Sequence, residues 1–286
     1  MLTSKIAINQ EEFVLLREYI QKECGIVVGD EKMYLVESRL ARLVVETGSK
    51  SFKEFYLKAK SDFSKKIRNK IVDAMTTNET LWFRDIKPWY IIEDIIIPKL
   101  ISDLKSGKKN KIVVWSAACS TGQEPYSFSM LLKEALKREP KLSPKQFLIL
   151  ATDISPSALY MGISGRYNSI AMSRGMQDKF KLFKQRYFKN KGSVYEISDE
   201  LKKMVTFKKF NLQNPFTKIP KCDLIFCRNV AIYFSQQFKK KLFKKIHSKL
   251  NKDGFFLIGA TESLIGYSND FEQNQYKKGV YYKTKK

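Results

Sequence analysis

Three stretches of this 286-residue chain carry residue types that bind or react. The first is Ser116-Ala117-Ala118-Cys119-Ser120-Thr121-Gly122-Gln123-Glu124-Pro125-Tyr126-Ser127. Its small side chains let a ligand approach the backbone, and a helix starting near Pro125 presents unbonded N–H groups. It contains neither Gly-x-x-x-x-Gly-Lys-Ser/Thr nor Gly-x-Gly-x-x-Gly, which disfavours a nucleoside triphosphate or a standard dinucleotide. Glu124 suits a ligand ammonium, and equally it reads as half of a Thr121-x-x-Glu124 capping box. The second is Asp153, an acid suited to a ribose diol, although Asp153-Ile154-Ser155-Pro156 also reads as a turn or helix cap. Asn211-Leu212 belongs with it, as a contact for an aromatic base or as a plain turn. The third is Thr76 to Arg84, where hydroxyls, an amide, aromatics and an arginine supply what a polar pocket needs. Its simpler reading, a capped helix start with a surface arginine, is slightly favoured by the residues alone.

Elements must bring these stretches together. Apolar runs recur at Lys111–Trp115, Phe147–Thr152, Val205–Phe207, Asp223–Cys227 and Gly254–Gly259, with helical segments such as Tyr126–Arg138 and Ser235–Leu250 between them. Strand–helix alternation predicts a doubly wound, mostly parallel α/β sheet. Ligands then bind beyond the carboxyl ends of the strands, where the candidate residues stand. A small-residue loop after one strand and an acid after the next describe an adenosine-type ligand without phosphates, which S-adenosylmethionine (SAM) fits. Residues 9–75 show only helical spacing (Phe13, Leu16, Tyr19, Ile20; Leu35, Leu40, Leu43), so we expect a helical domain over 1–75 and the sheet domain over 76–286. Arg186–Asn190, Ser193–Ile197 and Met204–Lys208 read as short strands of an antiparallel accessory piece at about 186–208. Phe271–Tyr282 reads as a closing hairpin turning at Lys278-Gly279.

Composition narrows the chemistry. A single histidine, His247, leaves little room for a histidine-based zinc site or a Ser-His-Asp mechanism, and no metal is expected. Cys24, Cys119, Cys222 and Cys227 form no Cys-x-x-Cys pair and read as buried reduced thiols. No apolar run reaches membrane-spanning length and the first residues lack a signal-peptide pattern, so a soluble cytoplasmic protein without membrane insertion is expected. The net charge is +24, and all but three units of it follow residue 75. Such a field favours anionic partners without choosing among them. Nucleic acid is the rival partner, and the absence of an Asn/Asp-Pro-Pro-Tyr/Phe motif argues against it.

Taken together, Thr77-Asn78-Glu79-Thr80 through Phe83-Arg84, Trp115-Ser116-Ala117-Ala118 with Ser120 to Ser127, Ala151-Thr152-Asp153-Ile154, and Ile225 to Val230 through Ile232-Tyr233-Phe234 resemble the CheR chemotaxis receptor methyltransferases in order and spacing. The resemblance runs from about residue 10 to the C-terminus. It implies an N-terminal helical domain on a SAM-binding, Rossmann-like domain with a small β-subdomain. The implied activity converts glutamates of methyl-accepting chemotaxis receptors to methyl esters and leaves S-adenosylhomocysteine, the enzyme being recruited to membrane receptor arrays. It assigns cofactor contacts to Asn78, Thr80, Arg84, Glu124, Asp153, Asn211, Leu212, Arg228 and Asn229, places Arg84 and Tyr233 near the transferring methyl group, and gives Arg39 and Arg42 to receptor binding. Two departures stand out. Gln123 replaces an acid usual in the family, and the turn Lys191-Gly192-Ser193 is shorter than the Gly-rich loop of members that dock on a receptor C-terminal pentapeptide, so pentapeptide-independent action is implied.

Overall fold

The computed structural model describes residues 6–176 and 178–285. Four helices open the chain: α1 (Gln10–Cys24), α2 (Met33–Glu46), α3 (Phe52–Ser61) and α4 (Lys66–Met75). Asn9 and Glu12 form a capping box at the start of α1. The buried Glu12 carboxylate also accepts the Lys53 N–H at the start of α3, so one acid caps two helices. Phe13, Leu16, Ile20, Val36, Leu40, Phe52, Phe55 and Ile71 close a core of their own between these helices. The stripe agrees with the expectation on α1, whereas on α2 the buried residues are Val36, Leu40 and Val44, and of the expected leucines Leu35 and Leu43 are only partly buried.

The chain continues through α5 (Lys87–Ile91), a π-helical turn (Ile92–Ile96) and α6 (Ile97–Lys105) into the sheet region. There follow β1 (Ile112–Ala117), α7 (Gln123–Leu136), β2 (Phe147–Asp153), α8 (Pro156–Ser164), β3 (Arg166–Asn168), α9 (Ser169–Ser173), α10 (Lys181–Tyr187), β4 (Phe188–Lys191), β5 (Val194–Ile197), α11 (Asp199–Lys202) and β6 (Val205–Lys209). The chain ends with β7 (Cys222–Cys227), α12 (Gln236–Lys249), β8 (Leu250–Leu257), β9 (Phe271–Tyr276) and β10 (Gly279–Thr284). The main sheet runs β6-β2-β1-β7-β8-β10-β9. Its first five strands are parallel, and β10 and β9 close it antiparallel. From β1 the chain steps outward to β2 and β6, then returns to lay β7 on the other flank of β1, which puts the switch point between β1 and β7. The two parallel faces are covered by separate apolar clusters, one around Trp89, Phe128 and Phe226, the other around Trp115, Phe243 and Phe256.

The accessory strands differ from the expectation in one respect. The small sheet is β3-β5-β4, and Met204–Lys208 is not part of it. Residues 205–209 instead form the parallel edge strand beside β2, with Ile149 opposite Val205 and Asp153 opposite Lys209. Val205 packs into the main core, which a strand in the small sheet would not achieve. The third accessory strand is Arg166–Asn168, too short and too polar to show an alternating pattern. Among the described residues no helix is long and apolar enough to cross a membrane.

Candidate active site

Four strand-end loops and the segment after α4 converge on one pocket at the switch point. It is lined by the end of α1 (Cys24, Ile26), by 76–80 and Arg84, by Ala118–Ser120 and Glu124 after β1, by Asp153 and Ile154 after β2, by Phe210–Leu212 after β6, and by Arg228–Val230, Tyr233 and Phe234 after β7. The helical domain roofs it. Ile26 bridges Phe234, Val27 N–H donates to the Tyr233 carbonyl at 2.9 Å, and Ser155 Oγ donates to Asp73 of α4 at 2.6 Å.

Two carboxylates dominate its chemistry. Asp153 accepts the N–H groups of Ser120 (2.8 Å) and Ser155 (2.9 Å), so it holds the β1 and β2 loops in register. Glu124 lies in the first turn of α7, which begins after Gly122, a residue with φ of +92° that serves as N-cap without a side-chain bond. The alternative of a Thr121-x-x-Glu124 capping box is therefore not what forms. Glu124 accepts from Ser116 Oγ (2.7 Å) and Arg228 Nη1 (3.0 Å). Burial pushes both carboxyls above their ordinary range, opposed at Glu124 by Arg228 and Ser116 and at Asp153 by backbone N–H groups. Two buried acids whose charge is disfavoured by desolvation gain from a ligand that brings hydroxyl or ammonium donors.

Arg228 and the strand-end backbone build the opposite wall. The Arg228 guanidinium is almost fully buried, bonding Glu124, the Asp85 carboxylate (2.9 Å) and the Arg84 carbonyl (2.8 Å). It thereby braces the segment that carries Arg84. Glu262 fixes the loop after β7 by accepting the N–H groups of Asn229 and Ala231. Asn229 Oδ1 and Arg228 Nε are buried without a hydrogen-bond partner among the described residues. Backbone strain concentrates in the same place: among the described residues, six of the nine non-glycine residues at positive φ are Phe83, Asp85, Ile86, Ala118, Ser120 and Asn229. Strain kept in one region marks a site held in shape for a ligand.

All nine expected cofactor residues and Tyr233 line this pocket. Several of them also bond within the protein. The Asn211 amide donates to the Glu23 carbonyl at the end of α1, and Arg228 is engaged as described. Arg39 and Arg42 lie outside the pocket. Arg39 donates to the Met75 carbonyl (2.8 Å) and to Thr77, closing the end of α4, whereas Arg42 is exposed and pairs with Glu46. Sequence reasoning missed Cys24 and Ile26, because nothing local shows that α1 ends over the strand loops. It also missed Asp85 and Glu262, whose partners are distant in sequence. Burial pushes the Cys24 thiol up to about 11 and holds the Cys119 thiol well above its ordinary value, which disfavours the reactive thiolate of both in the pocket wall.

A doubly wound sheet whose switch-point pocket offers buried acids, small-residue backbone and no phosphate cradle defines a SAM-dependent methyltransferase. The orphaned Asn229 acceptor and the two acids fit a ligand rich in hydroxyl and amino donors. Residues 78–280 match the CheR methyltransferase SAM binding domain and residues 11–76 its all-alpha domain. A chemotaxis protein methyltransferase of Vibrio parahaemolyticus is 39% identical, covering 98% of this chain and 99% of its own. Chemotaxis protein methyltransferase 1 of Pseudomonas aeruginosa is 38% identical over 96% and 98%, and a relative from Borreliella burgdorferi is 35% identical over 92% of each chain. The chain belongs to the CheR methyltransferase family.

Proposed function

We propose that this methyltransferase esterifies the side-chain carboxylates of particular glutamates on chemotaxis receptors, with SAM as donor and S-adenosylhomocysteine as product. SAM, when bound, supplies a methyl group on a sulfonium that departs by in-line displacement. A glutamate carboxylate has a reference pKa of about 4.3, so it is already a nucleophile at neutral pH and needs no general base. The chain's task is alignment and exclusion of water, and good orientation supplies roughly 7–11 kcal/mol of a barrier in favourable cases. Asp153, Asn78, Thr80, Glu124 and Asn229 hold the donor, and Arg84 and Tyr233 position the acceptor carboxylate. A tight bidentate clamp would oppose the reaction, because the carboxylate loses its charge as the ester forms. The single observation that carries the reading is that Arg84 and Tyr233 line the same pocket as the two buried acids.

The partner is an acidic receptor helix, taken up without pentapeptide docking. The hairpin between β4 and β5 supports this, since it turns over only Gly192 and Ser193 and offers no loop for a peptide to cross. Recruitment to receptor arrays at the membrane follows from the partner. Arg42 is available for docking, while Arg39 serves chiefly to hold α4 against the pocket segment. Tritiated SAM offered with receptor membranes, DNA and RNA side by side tests the assignment. Base-labile label on receptor glutamates is expected; label confined to nucleic acid, or base-stable label on protein, would refute it.

A further inference from the structure

The loop after β6 forms one wall of the pocket through Phe210, Asn211 and Leu212, and residues 210–215 of it belong to no helix or strand. Something must hold its backbone in place. Asn211 and Gln213 donate from one side to the Glu23 and Gln21 carbonyls in the last turn of α1. On the other side stands Lys245 of α12. Its ammonium donates to three successive carbonyls, those of Leu212, Gln213 (3.2 Å) and Asn214 (3.1 Å). It also lies over the Phe216 ring at 4.6 Å and the Phe238 ring at 5.4 Å. An ammonium has three donors, and here each meets an acceptor on one loop.

Three other lysines of α12 are placed differently. Lys240, Lys241 and Lys244 are exposed, as expected for lysines on a solvated face. Lys245 is half-buried, and burial pulls its pKa down to about 8, whereas the three carbonyls and two ring faces favour the charged form. A lysine has a flexible stem and can reach water instead. Turned inward, it places all three of its donors on the 212–214 backbone.

We propose that Lys245 is a positioning residue for the donor pocket, pinning the 212–214 backbone so that Phe210, Asn211 and Leu212 keep the wall against which the adenosyl part of the ligand lies. The inference rests on the SAM-pocket reading. The loop carries none of the residues expected at the transferring methyl group, so its loosening acts on donor affinity and not on the chemical step.

The test compares Lys245→Met with wild type and with Lys244→Met, a neighbour that touches no pocket loop. S-adenosylhomocysteine affinity is measured by calorimetry, KM for SAM and kcat on receptor membranes, and amide hydrogen exchange at 211–214. Lys245→Met is expected to weaken S-adenosylhomocysteine binding and raise KM for SAM by roughly tenfold, the loss of one or two charge-assisted hydrogen bonds. It should leave kcat within about twofold, speed exchange at 211–214, and be partly rescued by Lys245→Arg, which keeps donors and charge. Wild-type affinity and exchange in Lys245→Met, or an equal loss in Lys244→Met, would overturn the proposal. Should Lys245→Met fail to fold, Lys245→Gln decides the question by the same readouts. Absence of binding by the wild-type protein would instead refute the SAM-pocket reading.

Discussion

At the scale of single residues, the pocket divides into groups that meet ligand and groups that hold those groups. Arg84 shows why the division matters. Its segment contains three non-glycine residues at positive φ, Phe83, Asp85 and Ile86, and is held by Arg228 and by the Trp89 indole N–H on the Arg84 carbonyl. On the proposed role of Arg84 in positioning the acceptor, Arg84→Ala should lower kcat about 100-fold while S-adenosylhomocysteine still binds, since a displacement of about 1 Å can cost that much. Tyr233→Phe should lower kcat to a smaller extent. Wild-type turnover in both variants on receptor membranes would remove the two assignments. Asp85→Asn tests the bracing: it weakens the Arg228 bond without touching the pocket surface, and should reduce kcat several-fold by letting the Arg84 segment relax. Arg84, Glu124 and Asp153 were legible as candidates because each follows a strand or domain break where ligands bind, but the residues alone read equally or better as caps and turns, and it was the family resemblance that selected them. Sequence reading could not find Asp85 or Glu262, which act through partners 143 and 33 residues away.

At the scale of elements, the parallel strands were legible because each is a short apolar run ended by small or polar residues. The error at residues 204–208 has a physical cause. An edge strand such as β6 is half polar (Val205, Thr206, Phe207, Lys208, Lys209), and so are the strands of a small exposed sheet, so pattern alone does not separate them. The end of α10, which leads into β4, is tied to α7 through Glu134, which bonds Tyr187 and Arg186 as well as Lys137 at the end of its own helix. Burial alone would raise this carboxyl, but those donors outweigh it and hold it down to about 2. Its folded pKa thus lies below the unfolded value. The stability it contributes is present above about pH 4.3 and is lost as pH falls toward 2. Glu134→Gln should therefore cost about 1–2 kcal/mol at pH 7 by denaturant unfolding. The gap to wild type should close on acidification to pH 2; a constant gap would show that the ionised form is not what matters.

At the scale of the whole molecule, a helical domain with its own core roofs a sheet domain that carries nearly all of the +24 charge. Such a field favours encounter with an anionic partner, for which the proposed one is an acidic receptor helix, and is screened by salt. Raising ionic strength from 0.1 to 1 M shortens the Debye length from about 10 to 3 Å, so receptor affinity should fall at least tenfold while S-adenosylhomocysteine affinity changes little. Equal affinity at both strengths would mean that the charge plays no part in docking. The roof was not legible in the sequence, because helical spacing in residues 9–75 reports the bundle's own core and not the face it turns to the strands. The central claim, that the switch-point pocket binds an adenosyl ligand through its buried acids, is tested most directly by calorimetric titration of S-adenosylhomocysteine into wild type and Asp153→Ala. One site per chain is predicted, weakened at least tenfold by the substitution; no heat and no saturable binding in the wild type, or full affinity in Asp153→Ala, would contradict it.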